Sequence, residues 1–407
     1  MSGTSSRLAP APESRFRLPK RTSGALTEEQ RALTLAHAQD LLGTPTAPYA
    51  EDHQLAVVRR FVEEREGFEL DLDEHANAVV RWKGGTKPAK RKRGATPLLA
   101  YSAHLDHPGF LYSGKRKGKH HASWHGGVPE RYFRGSKVRF FDLATGAELA
   151  TAKIGRTYRN ARKELQVELS NFRGRAKRGM FGMWDLTPGV IRGTKLHARV
   201  CDDLMGAAAI LATLDVLAAA DHPHEVLGVF TRAEETGFIG CQGLLRSKTL
   251  APDIAVIGLE CSPKRPTAKL GRGPVIRVGD AGMIFEPWIT HRLQSAAASL
   301  VKEHEDFTFQ RALMDGGRCE SSAFNLWGVP AGAMCLALGN YHNCDPDGTI
   351  QPEIVDWSDH EGMVALMVRA AEQWHGEASS AAVMRSLDRI WDLETPRLSK
   401  SSARLLR

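Results

Sequence analysis

Four short apolar runs, each followed within a few residues by a histidine or a glutamate, constrain this chain more than any other feature of its sequence. Runs of this length and composition predict buried strands. The carboxyl ends of parallel strands meet at one edge of a sheet, so a single edge would bring these polar side chains together. The runs are 98–103, 226–230, 254–259 and 331–338, and the residues that follow them are His104, Glu234 with Glu235, Glu260 and His342.

Helical patterns separate these runs. Thr27 and Gln30 have the spacing of a capping box, and the helix that they open is predicted to end near Leu42. Asp202 and Asp203 come directly before another predicted helix. Strands that alternate with helices predict an α/β protein with a mixed, largely parallel sheet covered by helices. The remaining predicted helices cover 51–65, 206–220, 288–303, 360–374 and 381–391.

The region from about residue 109 to residue 195 differs from the rest of the chain. Glycines, basic residues and short alternating runs dominate it, and no long helical pattern is present. This texture is typical of an all-β unit. The predicted parts are an extension that is disordered or loosely packed (1–26), the two parts of a catalytic domain (27–108 and 196–379), an inserted β domain (109–195), and a C-terminal helix with a basic tail (380–407).

Composition is that of a globular protein. The 407 residues are 42% hydrophobic, and no run of 18 apolar residues predicts a membrane span. The first 26 residues lack the apolar stretch of a secretory signal, and the six cysteines form no C-x-x-C pair. Such cysteines are expected to be reduced thiols, and we expect a cytoplasmic protein.

The net charge of +8 would permit binding to an anionic partner. The basic residues concentrate in runs such as Lys87–Arg93 and Lys115–Lys119. No aromatic residue interrupts the first run, and the chain has no zinc-finger spacing or RNA-binding signature. The runs are therefore interpreted as solvated loops, and neither a membrane nor a nucleic acid is expected as a partner.

The residues at the predicted strand ends suit a pair of divalent metal ions, because neutral imidazoles and carboxylates are the ligands that such ions take. In this hypothesis Asp202 bridges the ions. His104 and Glu260 would bind one ion, and Glu235 and His342 would bind the other. Zinc is the first expectation, with cobalt or manganese as alternatives. The predicted metal ligands are His104, Asp202, Glu235, Glu260 and His342.

Two further carboxylates have predicted catalytic roles. Asp106, two residues after His104, would orient that imidazole through its other nitrogen. Glu234 is the candidate general base, which would take a proton from the attacking water and pass it to the leaving amine. His107 exceeds the ligand count and would line the pocket. His120, His121 and His125, in the β insertion, are expected at the surface or against another subunit.

Simpler interpretations exist for each of these motifs. An H-x-D can be an exposed loop, an Asp pair before a helix can be an N-cap, and a Glu pair can be solvated. The order of these motifs along the chain, with each motif at the end of a predicted strand or helix, is far more specific than any single motif. Ser321 and Ser322 lack the G-x-S-x-G context of a nucleophile, and no Walker A or G-x-G-x-x-G loop is present.

At these residues the sequence resembles the clan of dinuclear zinc exopeptidases, and most closely its tetrahedral aminopeptidase family, which includes deblocking and glutamyl aminopeptidases. From His104 to Asp202 there are 98 positions, where this family inserts a β domain. The 82 positions from Glu260 to His342 would hardly hold the lid domain of the carboxypeptidase and deacylase branch. The matching motifs are His104–Gly109, Asp202–Gly206, Glu234–Gly237, Gly316–Gly317 and Gly339–His342.

The resemblance implies an aminopeptidase that assembles through its β domain as a dimer or dodecamer, with a cis peptide after Asp202. Two positions depart from the family pattern. Glu260 stands where the family usually has Asp, as in the carboxypeptidase and deacylase branch, and Leu204 stands where an Arg is often found. A carboxypeptidase or an N-acyl amino-acid hydrolase is therefore the alternative, followed by a basic binding protein without catalysis. Arg318 would face an acidic substrate group or pair with Glu320 or Asp315.

Overall fold

The fold is described from a computed structural model, in residues 16–20, 24–89, 96–376 and 379–405. Most of the predicted extension and part of the basic run at 87–93 lie outside these residues. The described part of the extension includes Phe16 and Leu18, which pack against the main core, and Leu26, which is buried in it. Within the described residues, every helix is either too short or too polar to span a membrane.

A mixed sheet forms the centre of the molecule. Its strands follow the order β1-β2-β12-β3-β13-β17-β15-β16, and β14 pairs with β17. The four central strands β12, β3, β13 and β17 run parallel to one another, which confirms the predicted α/β class. The strands are β1 (Phe68–Leu72), β2 (Ala78–Trp82), β3 (Leu98–His104), β12 (Val226–Thr231), β13 (Ile254–Gly258), β14 (Cys261–Pro263), β15 (Val275–Asp280), β16 (Gln310–Met314) and β17 (Ala331–Leu338).

Helices cover this sheet, and α3 lies deepest among them. Its Ala- and Leu-rich sequence is buried over almost its whole length, because it packs between β3 and the helices α1 and α7. The capping box predicted at Thr27 is present at the start of α1. The helices are α1 (Glu28–Leu42), α2 (Asp52–Glu63), α3 (Leu204–Ala219), α4 (Ile239–Ser247), α5 (Pro287–Glu303), α6 (Glu320–Leu326), α7 (Trp357–Gln373) and α8 (Ser379–Leu405).

Six strands between β3 and α3 close into a barrel in the order β4-β5-β8-β7-β6-β9, all paired antiparallel. Aromatic and branched side chains fill the barrel, and Phe110 and Trp184 contact each other edge to face inside it. This is the predicted all-β insertion. The strands are β4 (Gly109–Arg116), β5 (Lys119–His125), β6 (Lys137–Phe141), β7 (Glu148–Arg159), β8 (Leu165–Gly174) and β9 (Phe181–Trp184).

Two parts of the chain differ from the sequence-based expectation. The strands β10 (Gly189–Arg192) and β11 (Lys195–Ala198) do not join the barrel; they form a small sheet with β18 (Glu353–Asp356). The predicted basic tail is instead part of α8. This helix continues well beyond the predicted end at Trp391, reaches Leu405 and contains Pro396. Good helix formers such as Leu398 and Lys400 occupy this continuation.

Candidate metal centre

The predicted ligands converge at the carboxyl edge of the four parallel strands. His104 is the last residue of β3, and Glu260 lies between β13 and β14. Glu235 and His342 lie in short 3-10 turns that follow β12 and β17. Asp202 precedes α3, and the peptide that joins it to Asp203 is cis, as the resemblance implies.

The carboxylate of Asp202 lies between two imidazoles. Its Oδ1 is 3.5 Å from Nε2 of His104, and its Oδ2 is 3.6 Å from Nε2 of His342. On the second side, Nε2 of His342 also lies 3.0 Å from Oε1 of Glu235. All of these side chains are shielded from solvent. One carboxylate therefore faces two separate groups of ligand-type atoms.

Two groups of three side chains share Asp202. In each group the possible ligand atoms lie within 4.8 Å of one another. The first group is His104, Asp202 and Glu260, and the second is Asp202, Glu235 and His342. These are the sets that the sequence predicts for the two ions. His104 also forms a third group with Glu234 and Glu235, so the candidate base lies beside both sets.

Several buried atoms in this cluster have no hydrogen-bond partner within the described part of the chain. They are Oδ1 of Asp202, Oε1 of Glu235 and Nε2 of His342. A buried polar atom without a partner costs about 1–3 kcal/mol, and more when the group is charged. A cation between these atoms would satisfy them together. The donor set therefore fits divalent metal ions.

Hydrogen bonds on the far side of each imidazole direct Nε2 towards Asp202. Nδ1 of His342 lies 2.8 Å from the carbonyl oxygen of Gly127, and Nδ1 of His104 lies 3.2 Å from that of Asp106. Since a carbonyl only accepts, each Nδ1 carries the proton and donates it. In the neutral form of each imidazole, Nε2 then has a free lone pair, which is the form that a metal ligand requires.

The carboxylate of Asp106 forms hydrogen bonds with the turn after β12 and lies farther from the imidazole of His104. It lies 3.4 Å from Nδ1 of His104. Its two oxygens accept the backbone N–H groups of Glu234 at 2.9 Å and Glu235 at 3.1 Å. Asp106 therefore holds the turn that carries the candidate base and a candidate ligand.

A fully buried glutamate, Glu353, completes the support of the site, and sequence reasoning missed it. It accepts backbone N–H groups from Cys201 at 2.6 Å, Asp202 at 3.1 Å and His342 at 2.8 Å. It thus ties the start of α3 to the loop after β17. A single glutamate after Pro352 carries no sequence signal for this role.

Buried carboxyl groups crowd the site, and burial raises the pKa values of three glutamates among them. The pKa of Glu260 is raised to about 8 by burial and by the negative charge of Asp202. Burial also raises the pKa of Glu234, partly offset by His104. Burial raises the pKa of Glu320 to about 7. Positive charge in the centre of this cluster would relieve the repulsion among the carboxylates.

Among the described residues, the groups of possible ligands contain neither His107 nor a cysteine. His121, expected at the surface or against another subunit, is instead buried, and its Nδ1 lies 3.0 Å from the hydroxyl of Tyr158. Nδ1 of His107 lies 2.8 Å from the carbonyl oxygen of Asp202, and its Nε2 lies 3.1 Å from Oδ1 of Asn343. His107 is therefore held beside Asp202 by contacts of its own. The six cysteines are free thiols, and Cys201 and Cys261 are buried.

A pocket with three arginines in its lining opens beside Glu260. Arg277 on β15 is buried, donates to Oγ of Ser262 at 3.2 Å, and has an unpartnered Nε. Arg265 pairs with Asp315 at 3.4 Å. Arg277 and Arg318 form no ion pair with a described carboxylate, and Glu320 instead accepts a hydrogen bond from Thr231. Among the described residues, neither pairing considered for Arg318 is present.

The chain matches a known family over more than half of its length. The family described as M42 glutamyl aminopeptidase matches residues 87–346. A protein of Acetivibrio thermocellus that carries the provisional name aminopeptidase is 23% identical over 292 residues, which are 69% of this chain and 84% of the relative.

Solved structures share the fold at low identity. A TET aminopeptidase from a marine-sediment archaeon of the Thaumarchaeota has a TM-score of 0.68 and 17% identity, covering 86% of this chain and 98% of the other. An aminopeptidase from Desulfurococcus kamchatkensis has a TM-score of 0.66 and 19% identity, with 86% and 96% covered. The TET1 peptidase of Pyrococcus horikoshii has a TM-score of 0.64 and 19% identity, with 83% and 99% covered.

Proposed function

The chain belongs to the M42 glutamyl aminopeptidase family, whose members are metal-dependent peptide hydrolases, and we propose that it removes amino-terminal residues from peptides at a dinuclear metal centre. One observation carries the proposal: two groups of ligand-type atoms share the carboxylate of Asp202. His104 and Glu260 would complete the site of one ion, and Glu235 and His342 that of the other. Zinc suits this mixture of imidazole and carboxylate, with cobalt or manganese as alternatives.

When bound, such a pair of ions supplies Lewis acidity to the scissile carbonyl and to the attacking water. Glu234 is the general base in this proposal. It lies beside both groups of ligands, and burial raises its pKa, so the carboxylate can hold a proton between the water and the leaving amine. Asp106 keeps Glu234 in place through the backbone N–H of that residue.

An aminopeptidase is favoured over the alternatives. The matching family and the relative from Acetivibrio thermocellus both carry aminopeptidase names. Glu260 occurs in the carboxypeptidase and deacylase branch, and it keeps that branch as the second candidate. A basic binding protein without catalysis would have no use for a candidate base and two groups of ligands on one bridging carboxylate.

The arginine-lined pocket supports a preference for an acidic amino-terminal residue. It borders Glu260, so the side chain of a residue bound at the metals would enter it. Arg277 and Arg318 lack carboxylate partners among the described residues, and a glutamate side chain would supply one. Charge-assisted hydrogen bonds of this kind are the strong ones.

Self-assembly into a dimer or a dodecamer is also proposed. The TET1 peptidase of Pyrococcus horikoshii can assemble into a tetrahedron or a large octahedral shell. We expect light scattering to give a mass of either two or twelve times the 44.7 kDa of one chain. A mass equal to one chain at micromolar concentration would contradict the assembly.

Mass spectrometry of a peptide and its N-acetylated twin tests the reaction. We expect stepwise loss of amino-terminal residues from the free peptide only, with zinc or cobalt present, and no loss after chelation. The acetylated twin should stay intact because it lacks the free amine. Trimming from the carboxyl end, or release of acetate, would transfer the chain to the second candidate.

The change Glu234→Gln tests the base. It keeps the shape of the side chain and removes its ability to accept a proton, so kcat should fall by about 10²–10⁴-fold or more. Metal content measured by mass spectrometry should stay at the wild-type level. Glu235→Ala is the matched control at the adjacent position and should lower metal content. A Glu234→Gln enzyme with full turnover would rule out this role.

The change Arg318→Ala tests the acidic preference. For a peptide that begins with Glu, kcat/KM should fall about tenfold, in keeping with the loss of one charged hydrogen bond. For the isosteric peptide that begins with Gln, it should change less than about twofold. Arg311→Ala, which removes an exposed cation on β16 outside the pocket, is the control. Equal losses on both peptides would refute a role in charge recognition.

A further inference from the structure

The barrel concentrates the positive charge of the molecule. Its residues, 109–184, contain 17 lysines and arginines and five aspartates and glutamates, a net charge of +12. Since the whole chain carries +8, the remaining residues carry a net −4. The catalytic chemistry uses none of this basic excess, so it calls for a separate explanation.

Pairing does not remove the excess. Four of the five acidic residues of the barrel are already in ion pairs with barrel cations, which are Glu130 with Arg159, Asp142 with Lys177, Glu148 with Arg139, and Glu168 with Lys119 and Arg156. The fifth, Glu164, accepts a hydrogen bond from Asn160. More than half of the barrel's cations are therefore left without a carboxylate.

The strand order places many of these cations at one end of the barrel. The β4–β5 turn and the loop between β8 and β9 meet at the end that lies away from His104, because β4 starts next to the metal centre and runs outward. Exposed, unpaired cations in these two loops and in the adjoining ends of β4 and β8 form what we call the basic rim. Within the described part of the chain none of them has an ion pair; they are Lys115, Arg116, Lys117, Arg173, Arg175 and Arg178.

Three half-buried rings close the barrel at the same end. The rings of His120 and Phe172 stack with centroids 3.9 Å apart and planes 5° apart. The hydroxyl of Tyr112 lies 2.6 Å from Nδ1 of His120. Burial and the nearby charge of Lys115 lower the pKa of His120, which shows that the rim and the rings are neighbours. In the folded chain, the second basic run, Lys115–Lys119, therefore lies beside aromatic side chains, although no aromatic residue interrupts it in the sequence.

We propose that the basic rim and the ring cluster of Tyr112, His120 and Phe172 form a binding site for single-stranded nucleic acid. Phosphates would contact the rim cations, and an unstacked base would lie against the ring cluster. Proteins that bind single strands combine these two elements, a positive track and an aromatic platform.

A single strand fits these observations better than a duplex or an acidic protein does. A duplex hides the faces of its bases, so it would leave the ring cluster unused. An acidic protein segment would use the charges and not the flat, stacked rings. The rim also lies at the opposite end of β5 from Gly127 and His342, so a ligand there would not enter the metal centre.

Fluorescence anisotropy of a labelled 15-nucleotide single strand, titrated with the full chain, tests the proposal. We expect saturable binding at 50 mM salt, weakened about 50-fold at 200 mM if four phosphates are neutralised. A duplex of the same sequence and a poly-glutamate of equal charge should bind less tightly. Absence of binding at 50 mM salt, or poly-glutamate binding as tight as the single strand, would overturn the proposal.

Variants separate the two elements of the site. The double change Arg116→Glu with Lys117→Glu should weaken binding at least tenfold and make the salt slope about 1.4 less steep. Phe172→Ala should weaken binding about fivefold or more with an unchanged slope. The control Lys302→Glu with Arg311→Glu reverses two exposed cations outside the barrel and should change binding less than twofold. Peptide hydrolysis should persist in all variants; equal losses in the control would refute the location.

Discussion

Two buried carboxylates that are not predicted to bind a metal hold the candidate centre together. Glu353 accepts three backbone N–H groups and joins the start of α3 to the loop after β17. Asp106 accepts two and joins the end of β3 to the turn after β12. Hydrogen bonds to a charged acceptor contribute about 1.5–3 kcal/mol each. The distances around Asp202 depend on these clamps, since His342 and Glu235 lie in turns that the sheet alone would not fix.

The sequence predicts the candidate ligands because each one interrupts an apolar pattern at the end of a strand. His104, Glu260 and His342 are conspicuous for this reason, and the structure brings them to one edge. Glu353 gives no such signal, because a glutamate in a short strand looks like a solvated residue. Strands β15 and β16 also escaped prediction. Gln310–Met314 alternates exposed and buried positions over five residues only, and that pattern is too short to distinguish from a loop.

The structure gives a physical explanation for the two departures from the family pattern, Glu260 and Leu204. Glu260 is one methylene longer than the usual aspartate, and it still lies within ligand distance of His104 and Asp202. Leu204, the first residue of α3, is fully buried in the main core. An arginine there would need a buried partner, and the carboxylates nearby already have N–H donors or face the candidate metals. An apolar residue at that position therefore agrees with the packing around the start of α3.

The barrel carries a net positive charge and the remaining residues carry a net negative charge. The proposed sites for an acidic peptide residue and for a nucleic acid strand lie apart from each other. Strand β5 starts at the basic rim and ends near Gly127, whose carbonyl orients His342, so its seven residues span about 20 Å between the two places. Near the candidate metal centre, buried carboxylates would repel a long polyanion, and the proposed ligand of the arginine-lined pocket is a single acidic side chain. At the rim, exposed cations attract phosphates without offering a buried site. The same barrel can therefore border both sites without competition between a peptide and a nucleic acid strand.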